Sequence, residues 1–115
     1  MPFIEVVFRD GSRQRFPLTS RRLRIGRDRE KNCDILFEDD REVSREHAEV
    51  WADADGRVFV ADKGSKNGTR VDESEVFRGA QRQAHRQVRV GAHVMHLIDA
   101  APSGVGFVPG LPTGD

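Results

Sequence analysis

The sequence predicts an all-β domain, either a sandwich or a barrel of short strands with little or no helix. Short runs of alternating apolar and polar residues dominate the chain, and a period of two is typical of half-buried strands. Turn-forming residues separate these runs, as at Asp10-Gly11, where positive φ is tolerated. No stretch repeats its apolar residues every 3.6 positions, the spacing that would indicate a helix.

The first strand places Ile4, Val6 and Phe8 on one face. After the Asp10-Gly11 turn, a return strand over residues 13–18 contains Pro17, which indicates an edge position because proline cannot donate to a sheet ladder. Further strands are predicted over residues 23–26, 34–37, 47–51, 58–60, 69–71, 88–90 and 94–98. The expected aromatic core residues are Phe8, Phe16, Phe37 and Phe59.

Composition limits the possible partners. The 115 residues suffice for one domain with one core. Nineteen basic and nineteen acidic residues give a formal net charge of zero, which argues against nucleic-acid binding, since phosphate contacts need a basic surplus. The single cysteine, Cys33, has no internal disulfide partner, and no apolar run is long enough to span a membrane. We therefore expect a cytoplasmic protein that binds neither nucleic acid nor membrane.

The end of the chain differs in composition from the rest. From Ala100 onward, the sequence APSGVGFVPGLPTGD is rich in proline and glycine. Such segments are typical of linkers and flexible tails. The sequence thus predicts a domain over residues 1–99 and a flexible tail or truncated linker over residues 100–115.

Three polar segments lie between predicted strands and carry the residues with useful chemistry. In a β-sandwich, the loops at one end cluster and can form a site on a rigid scaffold. The three segments are Gly26-Arg27, Ser44-Arg45-Glu46-His47 and Ser65-Lys66-Asn67-Gly68-Thr69.

These side chains are suited to binding an anion. Arg27 offers a forked pair of donors to phosphate oxygens. Ser44 offers a hydroxyl, and Arg45 and Lys66 add positive charge. The amide of Asn67 can both donate to and accept from a peptide main chain.

The ordered motifs Gly-Arg, Ser-Arg-x-His and Asn-Gly-Thr resemble the signature of the forkhead-associated (FHA) family. The surrounding segments CDILFEDDREVSREHAEV and VFVADKGSKNGTRV also resemble that family's central block. The resemblance is strong from Leu23 to Val71 and extends by strand pattern from Phe3 to Ile98. It implies an FHA/SMAD-like sandwich of two antiparallel sheets with about eleven short strands. It also implies a module that binds phosphothreonine peptides and is not an enzyme, with no cofactor and no metal.

The resemblance also implies roles for individual residues. Arg27 and Ser44 would hold the phosphate, with Arg45 and Lys66 as helpers, and Asn67 would bond the main chain of the peptide. The residues expected to form the scaffold of the site are Gly26, His47, Gly68 and Thr69, with His47 buried and fixing the Ser44 loop.

The sequence departs from the family pattern at three places. Lys66 stands where a small or hydroxyl residue is common. Glu42 occupies a position from which members of the family can read the ligand residue a few places after the phosphothreonine, and its carboxylate should disfavour an acidic ligand side chain there. Residues 73–86 form a longer, polar stretch without the family's usual turns.

Other functions have weaker support. A hydrolase built on Ser44 and His47 would need an orienting acid and an oxyanion hole, and no G-x-S-x-G motif is present. His93 and His96 are three apart on a predicted strand and point to opposite faces, so they cannot hold a metal together.

The expected partner is a protein carrying phosphothreonine, either a Ser/Thr kinase substrate or the autophosphorylated kinase itself. The alternative is an FHA-fold assembly module that binds an unmodified partner or a second copy of itself. Self-association could also follow phosphorylation of Thr19 or Thr113.

Overall fold

The computed structural model describes residues 1–38, 40–76 and 78–102, and confirms the predicted all-β sandwich. The Thr113 hypothesis and most of the predicted tail lie outside the described residues. The strands are β1 (Phe3–Val7), β2 (Arg13–Pro17), β3 (Leu23–Gly26), β4 (Ile35–Leu36), β5 (Ala48–Ala52), β6 (Val58–Asp62), β7 (Thr69–Val71), β8 (Ser74–Val76), β9 (Gln81–Ala84), β10 (Gln87–Val90) and β11 (His93–Ile98).

The strands form two sheets. The six-stranded sheet has the order β2-β1-β11-β10-β7-β8, and the five-stranded sheet has the order β4-β3-β5-β6-β9. Pro17 does lie on an edge strand, since β2 pairs only with β1 in that order. All pairs are antiparallel except β3 with β4, which run parallel with Ile25 opposite Ile35.

The core lies between the two sheets and follows the predicted alternation. Ile4 and Val6 of β1 are fully buried, as are Val58 and Val60 of β6. Phe37 is buried, whereas Phe8 and Phe16 are only partly buried against the cluster.

The prediction that Phe59 belongs to the core was wrong. Phe59 alternates with Val58 and Val60, so its ring lies on the outer face of the five-stranded sheet. It stacks there on Trp51, its cross-strand partner, with ring centroids 6.1 Å apart. The guanidinium carbon of Arg22 lies over the Trp51 ring, 3.9 Å from its centroid, in a cation–π contact.

The polar stretch over residues 73–86 contains two strands that the sequence did not predict individually. β8 and β9 are the last strands of their respective sheets. Their exposed faces carry polar residues and each buries only one side chain, Val76 and Ala84. In the described part of the chain, the only helical segment is a single 3₁₀ turn over Arg29–Lys31, and no helix has the length and apolar character needed to cross a membrane.

Candidate functional site

The three polar segments predicted from sequence lie together at one end of the sandwich. The backbone N–H of Arg27 donates to the carbonyl of Ser44 over 3.1 Å, joining the loop after β3 to the loop before β5. The backbone N–H of Lys66 donates to the hydroxyl oxygen of Ser44 over 3.0 Å, and Asn67 Nδ2 donates to the carbonyl of Glu42 over 2.9 Å. The β6–β7 loop is therefore tied to the same segment twice.

The buried side chain of His47 joins two of these loops from inside the domain. Its side chain is fully buried, and its Nδ1 accepts from the backbone N–H of Ser44 over 3.0 Å. Because Nδ1 accepts, the proton of the neutral ring must lie on Nε2, which is 2.8 Å from the carbonyl of Gly68 and donates to it. Burial lowers the pKa of His47, and the hydrogen bond to Gly68 opposes that effect only in part. One neutral imidazole thus holds the Ser44 loop and the Gly68 turn at a fixed separation.

Asp62 shapes the third loop and was not identified from the sequence. It is 2% exposed, and its Oδ1 accepts from the hydroxyls of Ser65 and Thr69. Its Oδ2 accepts from the backbone N–H groups of Gly64 and Ser65. Burial alone would raise the pKa of the Asp62 carboxyl, but these four hydrogen bonds outweigh it and the pKa is lowered. The carboxylate organises the loop that presents Lys66 and Asn67.

Glycine is required at two positions of the site for different structural reasons. A Cβ on Gly26 would lie 2.1 Å from the carbonyl oxygen of Arg45 and 2.8 Å from Cys33 Sγ, so only glycine allows the two loops to approach this closely. Gly68 has a φ of +82°, the left-handed region that side chains disfavour, and it ends the turn that begins at Asn67. Thr69, next in the chain, is fully buried and bonded to Asp62.

The three cationic side chains predicted for the site form no ion pairs within the described part of the chain. Among the described residues, no carboxylate lies within ion-pair distance of Arg27, Arg45 or Lys66, although many other arginines form such pairs. Arg45 and Lys66 are exposed, and Arg27 is half-buried. The Nε of Arg27 is buried and has no hydrogen-bond partner within the described part of the chain. Together with the Ser44 hydroxyl, these groups can neutralise and orient an anion.

A groove of about 480 Å³ adjoins this end of the sandwich. Glu42, Asn67 and Gly68 line it from the site loops. The remaining lining residues, which sequence reasoning missed, are Arg70, Arg89, Gly91 and Ala92.

The sequence model of the FHA domain matches residues 23–91, which is more than half of the chain. The chain belongs to the FHA domain family. This family consists of recognition modules rather than enzymes. No curated protein matches the sequence.

Solved structures agree with this assignment. The FHA domain of the CT664 protein from Chlamydia trachomatis is 25% identical, with a TM-score of 0.71 over 87% of this chain and 98% of that one. The FhaA FHA domain, solved in complex with the intracellular domain of Rv3910, is 27% identical, with a TM-score of 0.65 over 85% of this chain and 100% of that one. The N-terminal FHA domain of Rad53p from S. cerevisiae, solved with a phosphothreonine peptide, shares the fold at 16% identity, with a TM-score of 0.65 over 84% of this chain and 92% of that one.

Proposed function

We propose that this FHA domain binds phosphothreonine peptides through Arg27, Ser44, Arg45, Lys66 and Asn67. The observation that carries the proposal is the half-buried Arg27, which has no ion-pair partner among the described residues and lies in a loop bonded directly to the Ser44 segment. A cation in that position lowers its free energy by binding an anion. The phosphothreonine peptide bound to the Rad53p FHA domain and the HOP1 pThr318 peptide bound to the MEK1 FHA domain support this ligand class.

Each side chain has a chemical role in the proposal. Arg27 gives charge-assisted hydrogen bonds to phosphate oxygens, and the Ser44 hydroxyl donates a further one. The Ser44 oxygen already accepts from the Lys66 backbone, which leaves its proton free to point outward. Asn67 uses one N–H to hold the Glu42 carbonyl, so its Oδ1 and second N–H are available for the main chain of the peptide.

Glu42 is proposed to influence which peptides bind. It is exposed on the groove beside Asn67, where its carboxylate disfavours an acidic ligand residue and favours a basic one. The expected partner is a Ser/Thr kinase substrate or the autophosphorylated kinase. A cytoplasmic location fits the unpaired thiol of Cys33 and a ligand made by an intracellular kinase.

The test is calorimetry with a peptide library in which the central residue is phosphothreonine, phosphoserine or threonine. The variants Arg27→Ala and Ser44→Ala should each weaken phosphothreonine binding at least about tenfold, because a hydrogen bond to a charged group contributes about 1.5–3 kcal/mol. Arg86→Ala is the matched control, since Arg86 is an exposed arginine in the β9–β10 turn at the other end of β10.

The assembly alternative predicts a different outcome. A module that binds an unmodified partner or itself would retain threonine and phosphothreonine peptides equally. Unchanged affinity in both the Arg27 and Ser44 variants, with normal circular dichroism spectra, would also overturn the phosphothreonine proposal.

A further inference from the structure

Two arginines stand directly opposite each other on the outer face of the six-stranded sheet. Arg70 of β7 and Arg89 of β10 are cross-strand partners in the antiparallel register, and both are exposed. Like charges in directly opposed positions repel each other and destabilise a sheet. The arrangement therefore costs stability in the free protein, and a bound anion would relieve that cost.

No carboxylate among the described residues forms an ion pair with either arginine. Glu75 is the cross-strand neighbour of Arg70 on β8, yet no ion pair forms between them. Arg89 is held in place by its Nε, which donates to the carbonyl of Gly91 over 3.2 Å. That bond leaves the two terminal nitrogens of Arg89 as a fork without a hydrogen-bond partner in the described part of the chain. A fork of this kind matches the geometry of a carboxylate.

The arginine pair is continuous with the proposed phosphopeptide site. Arg70 and Arg89 line the same groove as Asn67 and Glu42. Gly91, which anchors Arg89, lies against the Glu42 backbone, because a Cβ built on it would be 3.6 Å from the Glu42 carbonyl carbon. A peptide whose main chain is bonded to Asn67 would pass along this groove as it leaves the phosphate site.

We propose that Arg70 and Arg89 form a second recognition site, which binds an acidic side chain of the same phosphopeptide outside the phosphothreonine. The inference rests on the proposed phosphothreonine function and extends it. Glu42 and the arginine pair carry opposite charges within one groove. The peptide that this groove selects therefore has a basic residue near Glu42 and an acidic residue near Arg70 and Arg89.

The experiment scans Ala, Asp and Lys through each position on both sides of a central phosphothreonine and measures affinity by calorimetry. One position should favour Asp over Ala by about two- to fivefold, the upper part of the range expected for an exposed ion pair. Arg70→Gln and Arg89→Gln should each reduce that preference while leaving the affinity of the all-Ala phosphopeptide within about twofold. Arg86→Gln, the matched control, should keep the preference.

The outcomes separate the two proposals. If the all-Ala phosphopeptide binds but no position favours Asp, or if the preference survives in both arginine variants, the second site is overturned and the phosphothreonine function stands. If no phosphopeptide binds at all, the proposed function fails and this inference fails with it.

Discussion

At the scale of single residues, Gly26 lies where two loops of the site approach too closely for a side chain. The Cβ of any other residue would overlap the Arg45 carbonyl, and that oxygen belongs to backbone and cannot rotate away. The Arg27 and Ser44 loops are joined by the hydrogen bond immediately next to this contact. Glycine is therefore required for the spacing of the side chains proposed to bind phosphate as well as for packing.

Gly26→Ala is expected to push these two loops apart. Overpacking of a tight site costs about 1–3 kcal/mol of unfolding free energy, and phosphopeptide affinity should fall together with it. Urea denaturation and calorimetry measure the two effects. Gly79→Ala is the control for affinity: a Cβ there meets nothing within 4 Å, and although the positive φ of Gly79 makes the substitution lower stability, peptide affinity should stay unchanged. A Gly26 variant with normal stability and normal affinity would contradict the steric argument.

The candidate site was predictable from sequence where residues are grouped in motifs. Arg27, Ser44 and Asn67 were found because three short motifs occur in order on loops between strands. Asp62 was missed because an aspartate at the end of a strand looks like an ordinary turn residue, and its partner Thr69 lies seven positions away. The Arg70–Arg89 pair was missed because cross-strand register depends on how β7 and β10 meet.

At the scale of elements, His47 connects the loop before β5 to the turn before β7. Its ring must stay neutral, since a protonated Nδ1 could not accept from the Ser44 backbone. In the unfolded chain the imidazole titrates at about pH 6.5, and burial lowers the pKa in the folded state. Between those two values the unfolded chain binds a proton that the folded chain does not, so stability falls as the pH drops below about 6.5.

Denaturation in urea between pH 7.5 and 5 should therefore show a decreasing free energy of unfolding. The pH dependence should be smaller in His47→Gln, even though that variant is less stable throughout. His96→Gln removes an exposed histidine of β11 and is the control that keeps the wild-type slope. The carboxylates of the buried Asp62 and the partly buried Asp72 contribute little in this window, because their pKa values are lowered and they lose their stabilising charge only in more acidic solution. An unchanged slope in His47→Gln would contradict the assignment.

The strands that sequence predicted best are those with a clear buried face. β1 and β5 alternate cleanly, and the turns that follow them carry Asp10-Gly11 and Asp55-Gly56. β8 and β9 were not separated within their polar stretch, because an edge strand that buries one side chain has no apolar period to detect. The prediction for Phe59 was wrong for a related reason, since an aromatic residue can occupy either face of a strand.

At the scale of the whole molecule, the proposed site occupies one end of the sandwich and the predicted domain boundary lies at the other. β5 begins next to His47 and ends at the turn over residues 53–56. The backbone N–H of Ala101 donates to the Gly56 carbonyl of that turn over 2.9 Å, and Ala100 packs against the core. Contacts with the domain thus extend at least two residues past the boundary predicted after residue 99.

Two truncations test how much of the chain the domain needs. A chain of residues 1–102 keeps the contacts of Ala100 and Ala101 and should have the same melting temperature as the full chain. A chain of residues 1–99 loses one hydrogen bond and some apolar contact, about 1 kcal/mol, which lowers the melting temperature of a domain this size by roughly 4–8 °C. Both should bind a phosphothreonine peptide with the affinity of the full chain, because the lost contacts lie at the end opposite Arg27 and Ser44. Calorimetric melting and peptide titration measure these effects. Weaker peptide binding by the 1–102 chain would instead make residues 103–115 part of the recognition surface.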